Sequence, residues 1–307
     1  DPSQAVPAAY REDCADAVKE VERLQRRYAS PTITVAPEAL GVLRCTPEMI
    51  EAMHDLAIRT GSPFLMHIAS SKDEHERSHA RFGHGSITEL KRLGALSPRT
   101  LLAHAIWLDD TEIRHIAEAQ AGVSHNPVAN AYYASGIARL ADLLGAGVRV
   151  GLGVDGASTN NGQNVWETMK LALLLQKERT GNAGFGSAEL ALELMTRGGA
   201  AALHMEDRIG SLAAGKQADF ICIDVSRAAL APRQTLISNL VYSNDPHAVR
   251  DVYVAGEAVV VDGVHRFLDR ESIVAAAEEA LEKVLERSGL KSYLASRSSW
   301  RWRRGEA

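Results

Sequence analysis

Four polar side chains close, or nearly close, four successive β-like runs. His67 ends "PFLMH", His104 ends "TLLAH", His125 lies in "GVSHN" and Asp155 ends "VRVGLGVD". The intervals are 37, 21 and 30 residues (104 − 67, 125 − 104, 155 − 125), and about 30 residues is one βαβ repeat. Polar residues at the carboxyl ends of successive parallel strands converge on one mouth, where a (β/α)8 barrel keeps its active site. Two histidines and an aspartate gathered there read as a divalent-metal site, because imidazole with carboxylate suits zinc or iron. Each residue also has a plainer reading. His67 could be a hydrogen-bonded strand-end histidine, His104 a buried one, and Asp155 a turn or helix N-cap residue in "DGAS".

The elements that must position these residues alternate. A fifth β-like run, "TITVA" (Thr32–Ala36), precedes the four. Amphipathic stretches with apolar residues at helical spacing fall between the runs: Thr46–Thr60, Gly85–Leu93, Asp110–Gln120 and Gly136–Leu144. This is the βα order of a parallel sheet with helices outside, an α/β class. A further helical stretch, Tyr10–Tyr28, opens the chain. After Gly210 the texture changes: "ADFICIDV" and "VRDVYVAGEAVVVDGV" alternate β-branched residues with glycine turns, as in a small antiparallel sheet. Ser272–Ser288 reads as a helix, followed by the basic tail "SRSSWRWRRGEA". The expected organisation is a barrel portion over 1–208, a β-sandwich portion over 209–266, and a C-terminal helix and tail over 267–307.

Composition narrows the classes. In 307 residues, 46% are apolar and the formal net charge is −5, which gives no electrostatic case for nucleic acid or anionic membrane. No run approaches the roughly 18 apolar residues of a membrane span. Cys14, Cys45 and Cys222 are odd in number and far apart, which fits a cytoplasmic location rather than a disulfide framework or zinc knuckle. The chain opens on Asp1-Pro2, so a missing natural N-terminus is expected.

Taken in order, "LMHIAS", "LLAHAIWLDDTEI", "VSHNPVANAYYASGIA", "VGLGVDGASTNNGQNVWETMKLALLLQK" and "RIGSLAAGKQADFICID" resemble the amidohydrolase superfamily. The similarity is to the branch of atrazine chlorohydrolase, hydroxyatrazine hydrolase, S-adenosylhomocysteine deaminase and 8-oxoguanine deaminase, and it covers nearly the whole chain. The resemblance implies a (β/α)8 barrel with a β-sandwich built from both chain ends. It also implies one divalent ion, zinc or iron, with a His-x-His pair on the first strand, a fifth-strand histidine and an eighth-strand aspartate. The last two map to His67 and Asp155, and the sixth-strand histidine that touches the hydrolytic water maps to His104. Trp107 and Asn130 are expected near the substrate. His125, in the "HNP" turn, is expected to be structural, with Asn126 and Asn130 tying that loop.

Two departures stand out. No His-x-His occurs in these 307 residues, so the five runs would be strands four to eight and the remaining ligands would come from a missing N-terminal element. The family's His-x-x-Glu on strand five reads His67-Ile68-Ala69-Ser70. In the deaminases that glutamate protonates a ring nitrogen; a serine has no comparable acidity, so "hydrolase" is better supported than "aromatic deaminase". Candidates for the proton carrier are His104, Asp155, and Glu74 if the "SSKDEHE" loop folds back. His75, His79 and His84 read as a solvated helix face, and "GSLAAGKQADF" lacks the phosphate-loop pattern. The expected function is metal-dependent hydrolysis of a C–N bond of a small triazine, purine or pyrimidine. The expected partners are that substrate and either a second copy of the chain or the missing N-terminal segment. The competing expectation is a catalytically impaired barrel acting as a binding or assembly subunit.

Overall fold

The computed structural model describes residues 12–243 and 245–297. Trp300, Trp302 and the basic tail from Ser298 onward lie outside the described residues. The chain enters through α1 (Cys14–Tyr28), whose N-cap Asp13 accepts the Ala15 and Asp16 amides. Strands and helices then alternate: β1 (Glu38–Ala39), α2 (Pro47–Thr60), β2 (Phe64–Ile68), α3 (Lys72–Phe82), α4 (Ser86–Arg92), β3 (Thr100–His104), α5 (Asp110–Glu118), β4 (Gly122–His125), α6 (Pro127–Tyr132), α7 (Leu140–Gly145) and β5 (Arg149–Leu152). The five strands lie side by side in sequence order and pair in parallel throughout.

One expected strand is displaced. Thr32–Ala36 forms no strand: Ser30 and Ile33 close into an isolated antiparallel bridge, and pairing with β2 begins only where Pro37 O accepts the Leu65 amide. A β-branched run is favoured in a strand by a half-buried pleated surface, and residues 32–34 are exposed with no such surface beneath them.

Register sorts the side chains. Met66, Leu102, Val123 and Val150 are successive partners across β2 to β5, so they share one face. All four are buried in the main core with Ile50 of α2, Leu90 of α4, Ile116 of α5 and Leu143 of α7. Burying that face against four helices is what holds the sheet together. The other face carries the row His67, Ala103, Ser124 and Gly151.

Beyond β5 come α8 (Ala157–Asn160), α9 (Val165–Thr180), α10 (Ala188–Glu193), a π-helical turn (Leu194–Gly198) and α11 (Gly199–Ala202). The last two press directly on the sheet. A Cβ on Gly151 would lie 2.6 Å from Gly199 Cα, and one on Gly122 would lie 2.0 Å from Ala202 O. A second core joins Trp166, Met169 and Leu173 of α9 to Leu240 and Val241 of α12 (Leu236–Ser243). The antiparallel sheet expected after Gly210 is present as β6 (Phe220–Ile223), β7 (Val249–Val254), β8 (Glu257–Val261) and β9 (Val264–His265). Its hairpins turn at Ala255-Gly256 and Asp262-Gly263, all four at positive φ, the backbone that two-residue hairpin loops require. Helices α13 (Arg270–Ser288) and α14 (Lys291–Arg297) follow. The parallel sheet formed by the described residues is therefore an open five-stranded one rather than a closed eight-stranded barrel. None of their helices is long and apolar enough to cross a membrane.

Gly122→Ala drives a methyl group into the Ala202 carbonyl and should lower stability by about 1–3 kcal/mol, the usual cost of overpacking. Gly145→Ala, where a Cβ meets nothing within 4 Å, should leave stability unchanged or slightly raised. Urea unfolding of both variants checks the pair.

Candidate active site

The site is built at the carboxyl ends of β1, β2, β3 and β5. Glu38 pairs in register with Leu65, which places it on the same sheet face as His67 two residues on. Its Oε1 accepts a hydrogen bond from His67 Nδ1 at 2.7 Å. That bond is the main reason the His67 pKa is raised; burial opposes it, and the charges of Glu38 and Asp155 add to it.

By strict alternation His104 belongs to the helix-covered face with Leu102. Its φ of 76° breaks the alternation, and its ring comes to 5.4 Å from that of His67, tilted 43°. His104 Nδ1 donates to Asn130 Oδ1 at 2.8 Å, which leaves Nε2 as the lone-pair nitrogen of the neutral ring. That Nε2 lies 3.9 Å from Asp155 Oδ2. Asp155 spends Oδ1 on the Gly156 amide at 2.8 Å, and its loop is tied by the Asn160 side chain on Val154 O and by Gln163 Nε2 on Asp155 O. The structure thus brings His67, His104 and Asp155 together.

Backbone strain collects at the same place. Ala69, His104, Ala105 and Asp155 all have positive φ, a conformation costly for residues other than glycine. It is over-determined by neighbouring bonds: Ala105 N donates to Ile68 O, and both Ile106 N and Trp107 N donate to Ala69 O.

Ser70 and Glu74 form one unit. Within the "SSKDEHE" segment Glu74 turns back on the residues just before α3: it accepts the Ala69 amide, the Ser70 amide and the Ser70 hydroxyl, each at 2.8 Å, and the Ser86 hydroxyl at 3.2 Å. Glu74 sits at the third position of α3, and its own amide donates to the N-cap Ser71. Its carboxylate is surrounded by donors, and the Ser70 proton is committed to it.

The remaining expected residues sit around this cluster. Asn130 is 2% exposed and stands behind His104, whose ring it holds. Trp107 donates from Nε1 to Ser135 O at 2.6 Å and packs over Gly136, where a Cβ would lie 3.0 Å from that nitrogen. His125 falls on the helix-covered face. It is 2% exposed and neither ring nitrogen has a partner among the described residues. Burial, with the charge of His104, pushes its pKa down to about 4. The His75 and His79 rings lie 4.5 Å apart, tilted 53°, and His84 pairs with Glu89 at 2.9 Å.

The His67 imidazole and Asp155 carboxylate, with the His104 imidazole beside them, fit a divalent ion in donor type. In number they fall short: no three His, Cys, Asp or Glu side chains of the described residues are arranged to hold one. Sequence reasoning missed Glu38, Asn160 and Gln163. The displaced first strand hid Glu38; a polar residue just after Pro37, one strand before His67, was the available signal.

The family model for the amidohydrolase family matches residues 4–259. The chain belongs to the amidohydrolase family. It is 36% identical over 243 residues to the 5-methylthioadenosine/S-adenosylhomocysteine deaminase of Pelotomaculum thermopropionicum, covering 79% of this chain and 56% of that one. The corresponding deaminase of Nitratidesulfovibrio vulgaris strain Miyazaki F is 34% identical, with 94% and 64% covered. Among solved structures, a zinc-bound adenosine deaminase from Xanthomonas campestris superposes with a TM-score of 0.82 at 30% identity, over 88% of this chain and 61% of that one. The zinc complex of the atrazine chlorohydrolase of Arthrobacter aurescens TC1 matches at 0.84, with 91% and 62% covered; at 24% identity it bears on the fold alone. This amidohydrolase chain spans about three fifths of the length of these relatives.

His125 makes the amidohydrolase sensitive to acid. Its pKa in the fold is about 4, below the unfolded value near 6.5, so its contribution is complete above about pH 6.5 and is lost as pH falls toward 4. From pH 7 to pH 5 the wild type should lose about 2 kcal/mol relative to His125→Phe, measured by urea unfolding of both at the two pH values.

Proposed function

We propose that this amidohydrolase hydrolyses a carbon–nitrogen bond of a small heterocycle, a triazine, purine or pyrimidine. The observation that carries the reading is the approach of His104 Nε2 to Asp155 Oδ2, 3.9 Å apart, beside the His67 ring. We take the five parallel strands as strands four to eight of a (β/α)8 barrel. His67 and Asp155 would hold the divalent ion, zinc or iron, with the other ligands from a His-x-His element that these 307 residues lack. When bound, such an ion acidifies a water and polarises the carbon under attack. Asp155 Oδ2 accepts a proton from the attacking water. His104 Nε2, fixed as an acceptor by Asn130, orients that water from the other side. Asp155 then returns its proton to the departing nitrogen, because the Ser70 hydroxyl is already donated to Glu74. The shortfall in ligand number favours a second reading, a barrel that binds without turnover.

Ammonia release from a panel of S-adenosylhomocysteine, adenosine and aminotriazines, in zinc-supplemented protein, tests the proposal. Asp155→Asn should cost at least about 100-fold, the usual scale of a lost general base. Glu74→Gln should change turnover less than about threefold while destabilising the fold by about 1–3 kcal/mol through unpaired donors. No release from any member of the panel by metal-loaded protein that also carries the His-x-His element would overturn the hydrolase reading in favour of the second.

A further inference from the structure

Glu38 is not needed to hold β1 in the sheet. That short strand is pinned by backbone, through Leu65 N to Pro37 O and the register Glu38↔Leu65 and Ala39↔Met66. The chain then passes so close to β2 that a Cβ on Gly41 would lie 3.0 Å from His67 O. The Glu38 side chain is left over, and it is spent on a single contact, 2.7 Å from His67 Nδ1. The His67 ring also meets the His104 ring at 5.4 Å. The imidazole therefore has both a carboxylate and a second ring against it.

We infer that Glu38 is the positioning residue for His67: it keeps the proton on Nδ1 and presents the Nε2 lone pair to the metal position. A carboxylate only accepts, so the nitrogen facing it must carry the hydrogen. In the neutral ring the lone pair is then on Nε2. Metal-bound histidines commonly donate their second nitrogen to a carboxylate in this way, which fixes tautomer and ring plane and raises ligand basicity. The inference rests on the metal-dependent reading above for the use of Nε2, while the tautomer itself does not depend on it. An ordinary surface ion pair is the competing account. Both side chains are about two-fifths exposed, and such a pair contributes little to stability, so a stability measurement alone cannot separate the accounts.

The test uses two readouts on the full chain. The first is the nitrogen spectrum of protein labelled with 15N-histidine at about pH 9 without metal. The wild type should show His67 as the Nδ1–H tautomer, and Glu38→Ala should shift it toward Nε2–H. Glu38→Gln keeps an acceptor and should remain mostly Nδ1–H. The second is calorimetric titration with cobalt(II), where affinity should fall about 10–100-fold in Glu38→Ala, the scale of a lost supporting carboxylate. The melting temperature should move by no more than a few degrees. An unchanged His67 tautomer in Glu38→Ala overturns the inference, as does an unchanged cobalt affinity. If the wild type carries the Nδ1–H tautomer, loses it in Glu38→Ala, and yet binds no cobalt, Glu38 is upheld as the positioning residue while the metal centre of the proposed function fails.

Discussion

The parallel pairing of β2 with β3 is the constraint on which the rest depends. Five residue pairs, Phe64↔Thr100 through Ile68↔His104, bring two strands to an end at the same level. Without that register the two histidines, 37 residues apart (104 − 67), would have no common mouth. The pairing alone puts His104 on the wrong face, since alternation directs it with Leu102 toward the helices. The left-handed backbone at His104 and Ala105 corrects this, and its cost is met by the bonds from Ala105, Ile106 and Trp107 back to Ile68 O and Ala69 O. The β2–β3 ladder thus sets both where the rings are and how tightly the strained turn beside them is held. A parallel sheet suits this task because all its strand ends of one kind lie on one side.

The two histidines are fixed by different chemistry. Each donates Nδ1–H to an oxygen, His67 to the Glu38 carboxylate and His104 to the Asn130 amide. A carboxylate stabilises positive charge on its ring, and the raised pKa of His67 reflects this. A buried amide orients a ring without adding a charge. The charged partner stands at His67, where a cation is proposed, and the neutral one at His104, where the proposed reaction holds a water. His125 shows the contrast. One strand over and on the other face, with no acceptor on either nitrogen among the described residues, it is driven neutral by burial.

How much of this was legible in the sequence depended on the range of the interaction. The ends of β2 and β3 were readable because an apolar run stopping at a histidine is a local pattern, and Thr100–His104 was placed to the residue. Helix α2 was readable from the apolar residues at helical spacing over Thr46–Thr60, and the structure caps it at Thr46 with Pro47 in its first turn. Strand β1 was not, because two residues carry no periodicity. The stronger local signal, Thr32–Ala36, belonged to a segment with no partner. Glu38 went unseen with it. Asn130 was expected near substrate because its motif lies near the site, yet whether an amide faces a ligand or the back of a histidine is decided by a contact 26 residues away (130 − 104). Family resemblance supplied the roles of His67, His104 and Asp155; periodicity supplied only their level in the sheet.

The Ser70–Glu74 pair shows how a local device can occupy a position otherwise free for chemistry. A carboxylate four residues past Ser70 looks like a substitute acid, yet its hydrogen bonds run to Ala69, Ser70 and Ser86. Its environment argues otherwise. Two amides and two hydroxyls point at one carboxylate, two donors on each oxygen. A group held as an acceptor by four donors is well suited to pin Ala69 in its left-handed conformation just ahead of α3, and its oxygens are already engaged there. Ser70, whose hydrogen points at Glu74, has only acceptor lone pairs left to offer. In the proposed reaction the proton is then left to Asp155 and His104. Asp155 keeps one oxygen on the Gly156 amide and turns the other toward His104, and in the proposed reaction that second oxygen is the one that takes the proton and returns it.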